Sequence, residues 1–180
     1  MLSHALLIIH NLPKDIKIIC SDRNFFVNKT VLESSSDYFK CMFNGWKEET
    51  TKEINFTGFH SEAVDILIQH IECKEIQMST SIDITHSCYR LAQMTLLTNL
   101  QKSMHDRLKV WTKNIAGALR ILEIVDLDED IQKYCFVSIR IGVMPQSTNS
   151  VSKKINFSRI SPRVKDLILK ELFIGANLIE

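Results

Sequence analysis

The stretch from Asn28 to Phe43 constrains this chain more than any other. Val31 and Leu32 mark the apolar face of one short helix, and Tyr38, Phe39, Met42 and Phe43 recur at the helical spacing of a second. Between them Ser34-Ser35-Ser36-Asp37 reads as a break and a cap, because short polar side chains satisfy the exposed N–H groups at a helix start. Asn44-Gly45 ends the second helix. Helices this short are marginal in water and need a surface to pack on. The sequence supplies one just upstream. Asp15 to Cys20, with Ile16, Ile18 and Ile19, reads as a largely buried strand, Ser21-Asp22-Arg23-Asn24 as a turn, and Phe25-Phe26-Val27 as a returning strand.

Downstream, Ile54-Asn55-Phe56 reads as a third strand. A helix from Ser61 follows, with Ala63, Ile66, Leu67, His70 and Ile71 on its buried face. Glu75 to Met78 reads as a short strand or extended link, and Ser81–Thr95 and Leu97–Trp111 as two amphipathic helices. Beyond Trp111 the pattern is helical throughout. Ile115, Leu119, Leu122, Ile124 and Val125 make one expected apolar face, and Ile131, Tyr134, Cys135, Val137 and Ile139 another. Gly142 to Ser152 is polar and small and reads as a surface loop. Ser161 with Pro162 opens a last helix lined by Val164, Leu167, Ile168, Leu172 and Phe173.

Composition excludes several functions. The 22 Lys+Arg and 21 Asp+Glu nearly cancel and are dispersed, leaving no basic footprint for nucleic acid or for a membrane surface. Five cysteines without a C-x-x-C pair argue against a zinc site or a disulfide framework, and read as free thiols packed as small hydrophobes in a reducing compartment. The apolar N-terminus from Met1 to Asn11 lacks a positive n-region and is far too short to span a bilayer. Sequons begin at Asn28, Asn55 and Asn156, and without secretion they carry no weight.

No catalytic constellation is visible. None of the six histidines has metal-ligand spacing, and Gly45, Gly58 and Gly117 are isolated, so no phosphate loop forms. His70 on an apolar face reads as a core or rim residue; His86 and Cys88 are expected on different helix faces. The chain is therefore expected to be neither an enzyme nor a cofactor or metal protein.

Asn28-Lys29-Thr30-Val31-Leu32-Glu33-Ser34-Ser35-Ser36-Asp37-Tyr38-Phe39, then Met42-Phe43, resembles the BTB/POZ family, whose members read roughly His-Lys-x-x-Leu-x-x-x-Ser-x-x-Phe followed by x-x-Met-Phe. Asp15 before the first strand and Ile54 to Ile71 fit the same family. Asn28 stands where the family has His, and Ile71-Glu72-Cys73 where it has Tyr-Thr-Gly. The resemblance implies an α+β fold: a BTB/POZ domain, a small sheet flanked by helices, over 1–110. An all-α extension over 111–180 resembles BACK or its short form, the 3-box, on Asn114–Glu123 and Leu127–Ile139. The relatives implied are kelch-like and speckle-type adaptors, here without kelch repeats or a MATH domain.

The resemblance also implies partners. Family adaptors that bind a cullin scaffold of the cullin-3 type carry a hydrophobic-x-Glu motif just after the second short helix, where this chain has Trp46-Lys47-Glu48. The other reading is a Trp folded back on its own helix beside a solvated charge run. The family's first helix packs across a two-fold axis, and Leu2, Leu6 and Ile9 share a helical face suited to homodimerisation or to pairing with other BTB proteins. A helix buried on its own domain is the alternative. The implied function is an intracellular adaptor, cytoplasmic or nuclear, that brings an unnamed substrate protein to a cullin-RING ubiquitin ligase. The alternative is an oligomerisation module, or a competitor of longer BTB proteins, without ligase recruitment.

Overall fold

In the computed structural model, residues 12–45, 50–76, 81–124, 127–143 and 159–176 are described. Strand β1 (Ile16–Ile19) lies at the centre of a three-stranded sheet of order β2-β1-β3. It pairs antiparallel with β2 (Asn24–Val27), Ile16 opposite Val27, and parallel with β3 (Glu53–Asn55), Ile18 opposite Ile54. Period-two alternation puts Ile16, Ile18, Val27 and Ile54 in the core. Cys20 N–H donates to the Arg23 carbonyl at 3.1 Å and closes the hairpin turn.

Helices α1 (Lys29–Ser35) and α2 (Asp37–Met42) then deliver Leu32, Phe39, Met42 and Phe43 to that core, all nearly inaccessible to water. Each large side chain fully buried in this way stabilises the fold by about 1.5–3 kcal/mol. The serine run divides its labour. Ser36 alone caps α2, its Oγ accepting from Phe39 N–H at 3.5 Å, whereas Ser34 and Ser35 donate back to Val31 O and Leu32 O at the end of α1.

Helices α3 (Ser61–Ile71) and α4 (Ile82–Met94) pack together, followed by α5 (Thr98–Thr112). On α3 the buried set is Ala63, Val64, Ile66, Leu67, Ile68 and Ile71, while His70 is only half-buried. Of the expected segment Glu75 to Met78, Glu75 and Ile76 are irregular and the remainder lies outside the described residues.

The chain divides into two compact units, Met1–His105 and Asp106–Glu180, and the division falls within α5. In the second unit α6 (Ile115–Leu122) packs on α7 (Glu129–Val143), and α8 (Pro162–Ala176) follows. Two expected faces need correction. On α6 the buried residues are Ala118, Ile121 and Leu122, with Ile115 and Leu119 only half-buried. On α7 the core takes Ile131, Cys135 and Ile139, and leaves Tyr134 and Val137 in solvent. A helix 3.6 residues per turn gives the core one stripe, and an apolar residue off that stripe stays wet.

Ser161 caps α8 as expected, its Oγ accepting from Val164 N–H at 3.4 Å, ahead of Pro162 in the first helical position. Arg163 fastens this start to the end of α6, donating from Nη1 to the carbonyls of Leu122 at 2.9 Å and Ile124 at 3.3 Å. Gly117 sits where an added Cβ would lie 2.2 Å from the Trp111 carbonyl oxygen, so only glycine lets the α5 end and the α6 start approach this closely.

Candidate functional site

The hairpin and the first two helices fix the two places where the candidate interaction residues leave the described chain. Asn28 caps α1, its Oδ1 accepting from Val31 N–H at 3.1 Å, and its Nδ2 donates to Pro13 O at 2.7 Å. Asp15 Oδ1 accepts from Lys29 N–H at 2.8 Å. Together they lock the entry to β1 onto the N-terminus of α1. Leu12, the first described residue, lies at an apolar groove of about 400 Å³ lined also by Val31, His70, Ile71, Cys73 and Leu97. Burial lowers the pKa of His70, so the neutral ring is favoured at this rim. The dimerisation candidates Leu2, Leu6 and Ile9 lie outside the described residues.

The second exit is the end of α2. Phe43 is buried, and its N–H donates to Phe39 O at 3.1 Å. Asn44 Nδ2 closes on Lys40 O at 2.7 Å, and Gly45 takes a φ of 113°, open to glycine and strained for other residues. The cullin candidates Trp46, Lys47 and Glu48 follow directly and lie outside the described residues. Past them, Lys17 N–H donates to Lys52 O at 2.9 Å, and Lys17 pairs with Glu53 at 3.0 Å. Both ends of this connection are thus pinned to β1 or its neighbouring core.

The turn after α3 carries a feature the sequence only hinted at. Lys74 N–H donates to Gln69 O at 2.8 Å and Cys73 N–H to His70 O at 3.1 Å, with Cys73 at φ 53°. This is a Schellman-type stop with cysteine in the left-handed position. Cys73 stands where the family resemblance expects Gly, in a backbone conformation that suits glycine. Leu96, at φ 57° with Leu97 N–H donating to Ala92 O at 2.9 Å, ends α4 the same way.

Elsewhere the polar groups serve structure. Asp22 accepts from Ser61 Oγ at 2.8 Å, the contact that most lowers its pKa, and so ties the first residue of α3 to the hairpin turn. His86 and Cys88, expected on different faces, are both buried in α4, and burial pushes the Cys88 thiol up to about 12, too high for a nucleophile. The thiols are not all core residues, because Cys41 and Cys73 are exposed. The Asn28 sequon is spent on capping, with its amide engaged by Pro13. Among the described residues no three His, Cys, Asp or Glu converge to hold a metal ion, and no helix is long and apolar enough to cross a membrane.

Comparison with known proteins assigns the fold. The model of the BTB/POZ domain family matches residues 10–110. No curated protein matches the chain. Among solved structures, the chain is similar to the BTB (Tramtrack and Bric a brac) domain of human Gigaxonin, at 19% identity over 52% of this chain and 75% of that one, with a TM-score of 0.43. It is also similar to the BTB domain of zebrafish PATZ1, at 15% identity over 61% of this chain and 94% of that one, with a TM-score of 0.49. BTB domains are protein–protein interaction and self-association modules rather than catalysts. The family match spans more than half of the sequence and covers the sheet, the paired short helices and their caps: this chain is a member of the BTB/POZ family.

Proposed function

We propose that this protein is a dimeric adaptor that recruits substrate proteins to a cullin-RING ubiquitin ligase. The observation that carries the reading is the position of Trp46-Lys47-Glu48: a hydrophobic-x-Glu element immediately after α2, inside the family match. A large aromatic in a polar connection is a natural hot spot for a partner pocket, with Glu48 as the charged contact beside it. The apolar Met1–Asn11 segment leads into Leu12 at the groove, which supports self-association through Leu2, Leu6 and Ile9.

In this reading residues 1–110 are the BTB domain, and the helices of 111–180 are a BACK or 3-box extension that completes the cullin-binding surface. The protein works inside the cell, in cytoplasm or nucleus, and performs no chemistry. It accelerates ubiquitin transfer by holding substrate near the ligase. Titration of the full chain with the N-terminal domain of cullin-3 tests this. Trp46→Ala and Glu48→Ala should each weaken binding by roughly tenfold or more, about 1.4 kcal/mol. Absence of binding by the unmutated chain removes the ligase role and leaves the oligomerisation reading, which the apolar N-terminus alone supports.

A further inference from the structure

The groove at Leu12 is walled by Val31 of α1, by Ile71 and Cys73 at the end of α3 and in the turn after it, and by Leu97 ahead of α5. Its serine hydroxyls are already spent, because Ser34 donates to Val31 O at 3.0 Å and Ser35 to Leu32 O at 2.6 Å. Among the described residues no Asp or Glu lines it. Into this apolar wall α3 sets His70, half-buried. The titratable groups of the lining are His70 and Cys73, and imidazole is the side chain that ordinarily changes charge between pH 5 and 8.

The charged groups of the surrounding elements lie off the lining. On α1, Lys29 pairs with Glu33 at 3.5 Å, and in the turn after α3, Lys74 pairs with Glu72. Asp83, His86 and Arg90 of α4, which packs on α3, and Lys102 of α5 do not reach the groove. Burial is the cause that lowers the pKa of His70, and no neighbouring carboxylate offsets it. A protonated ring here is thus a charge without a counter-charge in the groove.

The eleven residues before Leu12 begin at the rim of this groove, and Leu2, Leu6 and Ile9 give them an apolar face. A groove of about 400 Å³ has room for a few aliphatic side chains. We propose that each groove receives the Leu2, Leu6 and Ile9 face of a second copy and that protonation of His70 releases it, so that mild acid reverses self-association. The proposal rests on the dimeric reading above and adds its acceptor and its control. The sign follows from desolvation. An apolar segment laid over the groove buries His70 further, so the docked form holds the proton less well than the open form. Docking is complete at high pH and is lost as the pH falls through the value of the open form.

Analytical ultracentrifugation of the full chain at pH 7.5 and 5.5, at a temperature where both samples are folded, tests this. The dimer dissociation constant should rise at least about threefold, with a ceiling of roughly tenfold per pH unit for each of two grooves. His70→Gln should dimerise with no such dependence, and Leu6→Asp should be monomeric at both pH values. By NMR, the His70 ring should titrate at a lower pH in the dimeric chain than in Leu6→Asp. A dimer insensitive to pH, a dependence that survives His70→Gln, or a Leu6→Asp chain that still dimerises overturns the proposal and leaves the dimeric reading standing. A parent chain that is monomeric at both pH values overturns the two together, and a lower His70 titration in that monomer than in Leu6→Asp would assign the groove to the chain's own segment.

Discussion

Asn28 donates from Nδ2 to the carbonyl of Pro13 at 2.7 Å while its Oδ1 accepts from the Val31 N–H at 3.1 Å. One buried side chain thereby caps α1 and holds the chain that enters β1. Asn28→Ala removes both bonds and leaves the Pro13 carbonyl without its amide partner. The expected loss is about 1–3 kcal/mol, read as a lower urea midpoint at unchanged slope. Asn28→Ser keeps only the cap acceptor and should fall between alanine and the parent.

Cys73 occupies the left-handed region at φ 53°, where an L side chain costs roughly 1–2 kcal/mol. Cys73→Gly relieves that strain and gives back part of the gain as chain entropy. The net expectation is stabilisation by about 0.5–1 kcal/mol in chemical denaturation. A destabilised variant would mean that the thiol, which lines the groove, packs more tightly than its exposure indicates.

Burial depresses the pKa of His70 below the ordinary 6.5. The folded state therefore prefers the neutral ring. Its contribution is complete above the unfolded value and is lost as the pH falls from about 6.5 towards the lower folded value. Unfolding midpoints should decline between pH 7.5 and 5.5, and His70→Gln should flatten that decline. An identical slope in the variant would remove His70 as its source.

The five thiols should separate by accessibility. Cys41 and Cys73 are exposed, whereas burial pushes Cys88 and Cys135 up to about 12 and raises Cys20. An aromatic disulfide reagent should label Cys41 and Cys73 quickly in the native protein. The other three should be labelled only on unfolding. Fast labelling of Cys88 or Cys135 would contradict the packing of α4 or α7.

Much of this architecture is legible in the residues because local rules and tertiary packing agree there. The hairpin, the serine cap and the Ser161-Pro162 start each follow from side-chain chemistry acting within a few residues. Tyr134 and Val137 were not legible. They are apolar and one turn apart, and nothing in periodicity distinguishes a stripe that meets the core from one that stays in solvent. Ile115 and Leu119 failed for a related reason: packing against α7 decides which stripe of α6 turns inward, and the periodicity of α6 alone does not carry that. At Cys73 the departure from the family pattern was visible, while the left-handed backbone that Cys73 adopts was not. The candidate interaction residues Leu2, Leu6, Ile9 and Trp46 to Glu48 rest on sequence alone, because they lie outside the described residues.

Light scattering of the full chain, alone and mixed with the N-terminal domain of cullin-3, addresses the adaptor role most directly. The account expects twice the 20.8 kDa chain mass when alone, and a larger species carrying one cullin domain per chain when mixed. A monomer that takes up no cullin at micromolar concentration would contradict it.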